Sequence, residues 1–482
     1  SRQLHRAVAA SQSRGQAASS SRMLLAPLAL TQFVASFAGS NMNVAINSIA
    51  KDLETTVHGV QTAITLFLLC MAALMIPGSK LTDIFGRKSC LIAGLGVYGT
   101  GAVIAALAPA LGVLILGYSA FEGIGSALMI PPIYILATMY YDDVTSRARA
   151  FGVISGMGGV GAAAGPLIGG LITTAISWRA SFLLQALIVV LIIVLALRLQ
   201  DPLPADRSRN FDVRGAVLSA GGMLALVVGI LQAGTSTVLT VAFIAGGALL
   251  LALFFWHVRR FEDAGREPLL SMSLFGSRRA NLAMITQNMQ WLLLMGFAFV
   301  VSVFLQVVRG YSAIRTGLIF SGATAGILIS SLAAERLAAR HEQRTLIRVG
   351  FLATLVGIGL LLALAKVSSN VLAFEPGLLL IGLGVGTMLT PSVNVVQSSF
   401  PEEKQGEISG LSRSVSNLGS SLGTAIAGTI LVQLASSGNS AYVAAIAVLA
   451  GVAFGGFVVA MLMPAESRGG QRTAKVAVEP SG

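Results

Sequence analysis

Fourteen apolar runs of about twenty residues recur along this chain, each long enough to cross ~30 Å of hydrocarbon. They lie near 24–49, 60–78, 89–109, 111–137, 150–174, 182–199, 215–233, 238–257, 281–307, 315–334, 346–365, 374–399, 407–434 and 441–463. A run of that length inside a bilayer satisfies its backbone only as a helix, which predicts an all-α membrane protein with 14 transmembrane helices. Composition agrees: of 482 residues 55% are hydrophobic and 11% charged, with mean hydropathy +0.81. A formal charge of +12 would suggest nucleic acid for a soluble chain. Here the distribution of that charge reports membrane orientation instead.

Several functional classes drop out early. Cys70 and Cys90 fall in separate runs and read as small buried hydrophobes, and His5, His58, His257 and His341 sit at run ends or in loops. Neither set forms a metal site, so no metal and no cofactor is expected. The chain has no Gly-x-x-x-x-Gly-Lys-Ser/Thr loop for an ATP-driven pump and no Ser/His/Asp constellation for an enzyme.

With the N-terminus inside, most Lys and Arg fall on the cytoplasmic side. The outer side receives Lys51, Arg179, Arg309, Arg315 and Lys366. That bias predicts a multi-pass plasma-membrane protein with both termini cytoplasmic. The longest hydrophilic connections, 200–214 and 258–280, flank the seventh and eighth runs. The expected layout is a disordered cytoplasmic tail over 1–22, a six-helix bundle over 23–199 and a linker with two extra helices over 200–280. A second six-helix bundle follows over 281–463, with a tail over 464–482. Internal echoes support the division. Gly123-x-Gly125, Met129 and Pro132 recur as Gly382-x-Gly384, Met388 and Pro391. Gly161 and Gly165 recur as Gly419 and Gly423, and Asp83 and Lys88 as Glu335 and Arg340.

The densest polar stretch between two runs is Gly78-Ser-Lys-Leu-Thr-Asp83-Ile-Phe-Gly86-Arg87-Lys88. Gly78 permits close helix approach and Gly86 a backbone reversal. Arg87 and Lys88 favour the cytoplasmic face, and Asp83 can latch onto helix N-termini or arginines of the other half. The pattern Gly-x-x-x-Asp-x-x-Gly-Arg-Lys/Arg resembles the signature loop of the major facilitator superfamily, whose fold is two six-helix bundles. Gly161-Ala-Ala-Ala-Gly165-Pro166-Leu-Ile-Gly169-Gly170 matches the antiporter motif of that family. Its physics alone gives a bendable seam of small residues. Arg147-Ala-Arg149, Trp178-Arg179, Phe211-Asp212 and Glu267-Pro-Leu-Leu with Leu274-Phe275 resemble the fourteen-helix drug:proton antiporter branch.

Two departures bear on mechanism. Where that branch carries an aspartate in its first helix this chain has Ala38, and Ser119 stands at the arginine of its fourth-helix motif. Glu122 is then the only carboxylate deep in a run: a proton-coupling candidate, or a structural carboxyl hydrogen-bonded to a neighbouring helix. Arg413, six residues into the thirteenth run, is the one cation within a helix and has the option of snorkelling to the surface. Asn41 and Asn43 in the first run, with Gln287, Asn288 and Trp291 in the ninth and Asn394 in the twelfth, are substrate-cavity candidates or interhelical glue. The resemblance implies a monomeric secondary exporter of amphipathic organic compounds such as drugs, dyes and antiseptics. It would be driven by protons and have small-molecule, proton and lipid partners only. A lipid or endogenous-metabolite transporter of the same fold is the alternative.

Overall fold

Each apolar run is carried by one helix. The structure, a computed structural model, describes residues 2–141, 144–201, 205, 210–367, 370–401, 404–434 and 439–465, and every regular element among them is helical. The first half comprises α1 (Arg2–Asp52), α2 (Val57–Phe85), α3 (Arg87–Ala106), α4 (Leu111–Ala137), α5 (Val144–Ala175) and α6 (Trp178–Ala196). Two linker helices follow, α7 (Val213–Leu231) and α8 (Thr237–Asp263). The second half comprises α9 (Arg278–Val308), α10 (Ala313–Ile319 continuing as Ser321–Arg340), α11 (Gln343–Val367), α12 (Glu375–Ser398), α13 (Gln405–Gln433) and α14 (Asn439–Met461).

Among the described residues 13 helices are long and apolar enough to cross a membrane, α2 through α14. The run in α1 is thinned by Gln32, Ser36, Ser40, Asn41 and Asn43, and with it the helices number fourteen. One expectation changes: α1 reaches back to Arg2, so residues expected in a disordered tail are its first turns. Alanine, arginine and glutamine are strong helix formers, and extending a formed helix is cheap. Residues 466–482, most of the other expected tail, lie outside the described residues.

Helix ends follow local chemistry. Thr56, Asp212, Ser236 and Ser277 cap α2, α7, α8 and α9 by accepting from a backbone N–H three residues on. Gly86, at φ 92°, makes the reversal between α2 and α3 that other residues resist.

The pairings inside one half recur in the other. α1 packs on α5 as α9 packs on α13, α2 on α4 as α10 on α12, and α3 on both α4 and α6 as α11 on both α12 and α14. The sequence echoes mark these contacts. A β-carbon on Gly161 would overlap the Phe33 carbonyl of α1, and one on Gly419 the Asn288 carbonyl of α9. Gly125 faces the Tyr98 backbone nitrogen of α3, and Gly384 that of Thr354 of α11, with a β-carbon at 2.6 and 2.7 Å. Lipid tails give helices no hydrophobic reason to associate, so backbone approach at small residues supplies the packing.

The halves meet along α2–α13, α5–α10 and α1–α9. Along the first seam the Ser414 and Ser421 hydroxyls donate to the Ala72 and Thr65 carbonyls at 2.6 and 3.0 Å. Gln61 Nε2 donates back to the Thr424 carbonyl at 3.1 Å. Helix α7 lies over this seam, its Met223, Val227 and Leu231 packed with Leu69, Ala72 and Ala425. Helix α8 lies outside α7 and is mostly exposed, as a lipid-facing helix would be.

Candidate functional site

The end of the molecule that carries the α2–α3 loop is fastened by charge. Asp83 Oδ1 accepts from Arg87 Nη2 at 3.3 Å, one turn on. Asp201, after α6, accepts from the backbone N–H groups of Arg87 and Lys88 at 2.7 and 3.2 Å, where the α3 N-terminus favours an anion. Lys88 Nζ donates to the Leu197 carbonyl at 2.8 Å. These bonds tie the loop to its own half. Contacts that cross to the second half come one turn earlier, where Ser79 donates to the Gly406 carbonyl at 3.1 Å. Lys80, buried, reaches Glu267 of the α8–α9 connection at 3.4 Å.

The antiporter motif has two working faces. Gly161, Gly165 and Gly169 seat α1, where added β-carbons would overlap Phe33, Ser40 and Asn41. Gly170 and Pro166 face the second half: a β-carbon on Gly170 would sit 2.6 Å from the Ala313 carbonyl, and one on Gly317 would overlap that of Pro166. One helix therefore serves both an intra-half and an inter-half contact. The side chains of Arg147 and Arg149 lie outside the described residues.

Glu122 is fully buried, with the Tyr98 hydroxyl as its polar neighbour and no close, well-aligned hydrogen bond to either carboxyl oxygen. It ends a π-helical stretch of α4, Ile115–Glu122, and such widened turns are frequent at functional sites. Four residues earlier Tyr118 donates to the Ala38 carbonyl at 3.2 Å, stacks on Phe67 at 4.5 Å and meets Phe182 edge-on at 5.7 Å. Tyr98 of α3 donates to Gln185 Oε1 of α6 at 2.5 Å, while Gln185 Nε2 and Ser126 Oγ are buried without partners. The carboxyl therefore sits inside the first bundle, walled by α3, α4 and α6. Sequence reasoning missed Tyr98, Tyr118 and Gln185; the signal available was one amide, Gln185, within the apolar stretch 182–196 of α6.

The polar patches divide. Asn41 and Asn43 are buried with unpartnered Oδ1 atoms. The Asn43 carbonyl accepts from Gln306 Nε2 at 2.9 Å and from the Ser302 hydroxyl, which joins α1 to α9. Gln287 is taken up by α13: it bonds the Ser412 and Ser416 hydroxyls at 3.0 and 2.8 Å. Asn288 donates to the Val415 carbonyl at 2.8 Å. For these two the geometry is that of glue, because their amide hydrogens are spent on a neighbouring helix. Trp291 is half-buried and Asn394 exposed. Arg413 does not snorkel freely: its guanidinium lies 4.7 Å over the Tyr134 ring and bonds its hydroxyl, which donates to Gln32 Oε1 at 3.1 Å. No cluster of metal-binding side chains occurs among the described residues.

Comparison with known proteins agrees with this architecture. The profile of the Major Facilitator Superfamily matches residues 28–424. The puromycin resistance protein pur8 of Streptomyces alboniger is 30% identical over 401 residues, covering 81% of this chain and 78% of that protein. Multidrug resistance protein Stp of Mycobacterium tuberculosis is 28% identical over 81% of this chain and 72% of its own length. Multidrug efflux pump LfrA of Mycolicibacterium smegmatis is 29% identical over 84% of this chain and 80% of its own. With a matching profile over most of its length and relatives that are drug resistance and efflux proteins, the chain belongs to the major facilitator superfamily.

Proposed function

We propose that this protein exports amphipathic organic compounds from the cell by proton antiport, with Glu122 as the group that takes up and releases the proton. Export is the reading supported by the relatives, named for resistance to or efflux of antibiotics. The single observation behind Glu122 is its complete burial beside the Tyr98 hydroxyl, with no cation against it among the described residues. An ionised carboxylate so placed is expensive, so its ionisation must accompany a change in its surroundings. Rocking of the two halves would supply that change, and the first bundle holds no other acid at its centre now that position 38 is alanine. In this reading the end bearing Asp83 and most of the basic residues faces the cytoplasm, both termini lie there, and the protein acts as a monomer in the cell membrane.

The alternative, transport of a lipid or endogenous metabolite without a proton, draws on the same departures, Ala38 and Ser119. The Ser119 hydroxyl is spent on the Ala63 carbonyl at 2.7 Å and offers no cation to oppose Glu122. Proteoliposomes with an imposed pH gradient, screened against a varied panel of compounds, separate the two. Under proton antiport, Glu122→Gln should abolish gradient-driven accumulation while downhill exchange of substrate partly survives. Undiminished accumulation by that variant would put the proton, or the driving ion, elsewhere.

A further inference from the structure

At the end of the molecule opposite the Asp83 loop the two halves differ in how one corner is filled. In the first half this corner lies between α1, α3 and α6. Trp178 and Phe182 fill it, edge to face at 6.0 Å, and Trp178 Nε1 donates to Asp52 Oδ2 at 3.1 Å. The cation there, Arg179, pairs with Asp52 and donates to the Ala108 carbonyl at 2.7 Å. Arg179 and Asp52 thus offset each other's charge.

The corresponding corner of the second half, between α9, α11 and α14, is a cavity of about 240 Å³. Its walls are Val300, Phe304, Leu361, Phe374 and Ile446, and Arg309 stands at its edge. Arg309 lies 5.6 Å over the Phe304 ring and has no carboxylate partner among the described residues. The cavity is bounded on α14 by half-buried side chains, Tyr442, Val443 and Ile446, on a helix whose outer surface is exposed. An apolar slot bordered by a lipid-facing helix, with a guanidinium one residue past the end of the α9 span, has a specific chemical complement. We propose that this corner is a binding site for an anionic phospholipid: one acyl chain lies in the slot between α9, α11 and α14, and its phosphate is held by Arg309.

The lipid would complete the second half much as Trp178, Phe182 and Asp52 complete the first, with the chain replacing the aromatic filling and the phosphate replacing the carboxylate. Charge, more than area, selects the ligand. Arginine holds phosphate by paired N–H donors, and a zwitterionic headgroup brings its own cation to compete. The proposal is independent of what the protein exports and of Glu122.

The test is native mass spectrometry of the full chain, delipidated and then exposed to equal amounts of phosphatidylglycerol and phosphatidylcholine with identical chains. One basic residue near a membrane surface gives about a fivefold preference for the anionic lipid. Arg309→Gln should bring the ratio to about one, while Arg309→Lys should keep most of it, which a packing defect would not allow. Val443→Phe, and independently Ile446→Phe, should displace both lipids by filling the slot. Glycerol 3-phosphate, a headgroup without chains, should not compete. An unchanged preference in Arg309→Gln overturns the proposal. So does lipid retention equal to wild type in both filled variants, or displacement of the lipid by glycerol 3-phosphate.

Discussion

The two halves share one helix framework and differ in what they bury at equivalent places. Matching Gly123 with Gly382 and Gly94 with Gly350 sets Glu122 opposite Ile381, and Tyr98 opposite Thr354. In the first half a fully buried acid lies beside tyrosines. In the second an isoleucine stands in its place, and the Thr354 hydroxyl turns back to the Gly350 carbonyl of its own helix at 2.9 Å. Polarity in the second half has moved to the α9–α13 joint, where Gln287 meets Ser412 and Ser416. The lesson is a division of labour built on repetition: small residues preserve the framework, which leaves the polar positions free to diverge. The first half buries an acid, while the second offers neutral hydrogen bonds that hold in any protonation state.

If the glycines carry the framework, alanine at matched positions should be costly in both halves but unequally. At Gly423 the added methyl meets the Leu292 backbone carbonyl, which cannot move without shifting α9. At Gly165 it meets first the Ser40 hydroxyl, which can rotate away, although the Ser40 β-carbon then stands at 2.9 Å. Overpacking of this kind costs about 1–3 kcal/mol, and Gly423→Ala should lie toward the upper end and Gly165→Ala toward the lower. Thermal unfolding of both variants in one detergent measures the order. Equal losses would mean that Ser40 is as fixed as backbone.

The neutral joint makes the next prediction. Gln287→Leu removes bonds to two hydroxyls that remain buried, at a cost of about 1 kcal/mol given the modest worth of interhelical bonds in membranes. Transport should fall in proportion to folded protein, with the order of substrates unchanged. Trp291→Ala, one turn further along α9, should instead change that order, because an aromatic face discriminates by shape and charge. Transport assays over a panel of compounds distinguish the two. A reshuffled profile in Gln287→Leu would return that amide to the substrate cavity.

These examples also mark how far the sequence could be read. The helix runs and the glycine echoes were legible because both are local patterns: hydropathy over a window, and small residues at fixed spacing. The direction in which an amide points was not. Gln287 reads equally as cavity or glue until Ser412 and Ser416, four residues apart on α13, are brought against it; that spacing was the available clue. Nor could the sequence pair Arg413 with Tyr134, Tyr98 with Gln185, or Asp201 with the Arg87 and Lys88 amides, since these join helices from 87 to 279 residues apart along the chain. The tail misled because helix propensity continued past the hydrophobic run.

A smaller effect is expected at the charged loop. Asp83→Asn weakens the Arg87 pair and leaves Asp201 on the α3 amides, so the loop should keep its shape while its grip loosens. A shift of about 1 kcal/mol between inward- and outward-open states is in the range of such couplings. Spin-label distances across the Ser79–Gly406 contact would report it, and substrate binding in detergent should survive. Unchanged distances with normal transport would leave no latch role for Asp83.

The least effect, and the one that separates the halves most cleanly, comes from acid at the opposite end. The Arg179 hydrogen bond, helped by Trp178, holds the Asp52 carboxyl below its usual range. Asp52 is 45% exposed, so solvent screening limits the pair to about 0.5 kcal/mol. A depressed carboxylate stabilises the fold above its unfolded pKa, and that contribution is lost as pH falls through the lower folded value. Asp52→Asn should therefore lower the melting temperature slightly at neutral pH, with the gap from wild type closing below the ordinary carboxylate range. Arg309 has no carboxylate partner among the described residues, so Arg309→Gln in neutral detergent should show no such convergence on acidification. If it converges as Asp52→Asn does, a carboxylate is serving the second half as well, and the corner holding Arg309 is closed by protein rather than by lipid.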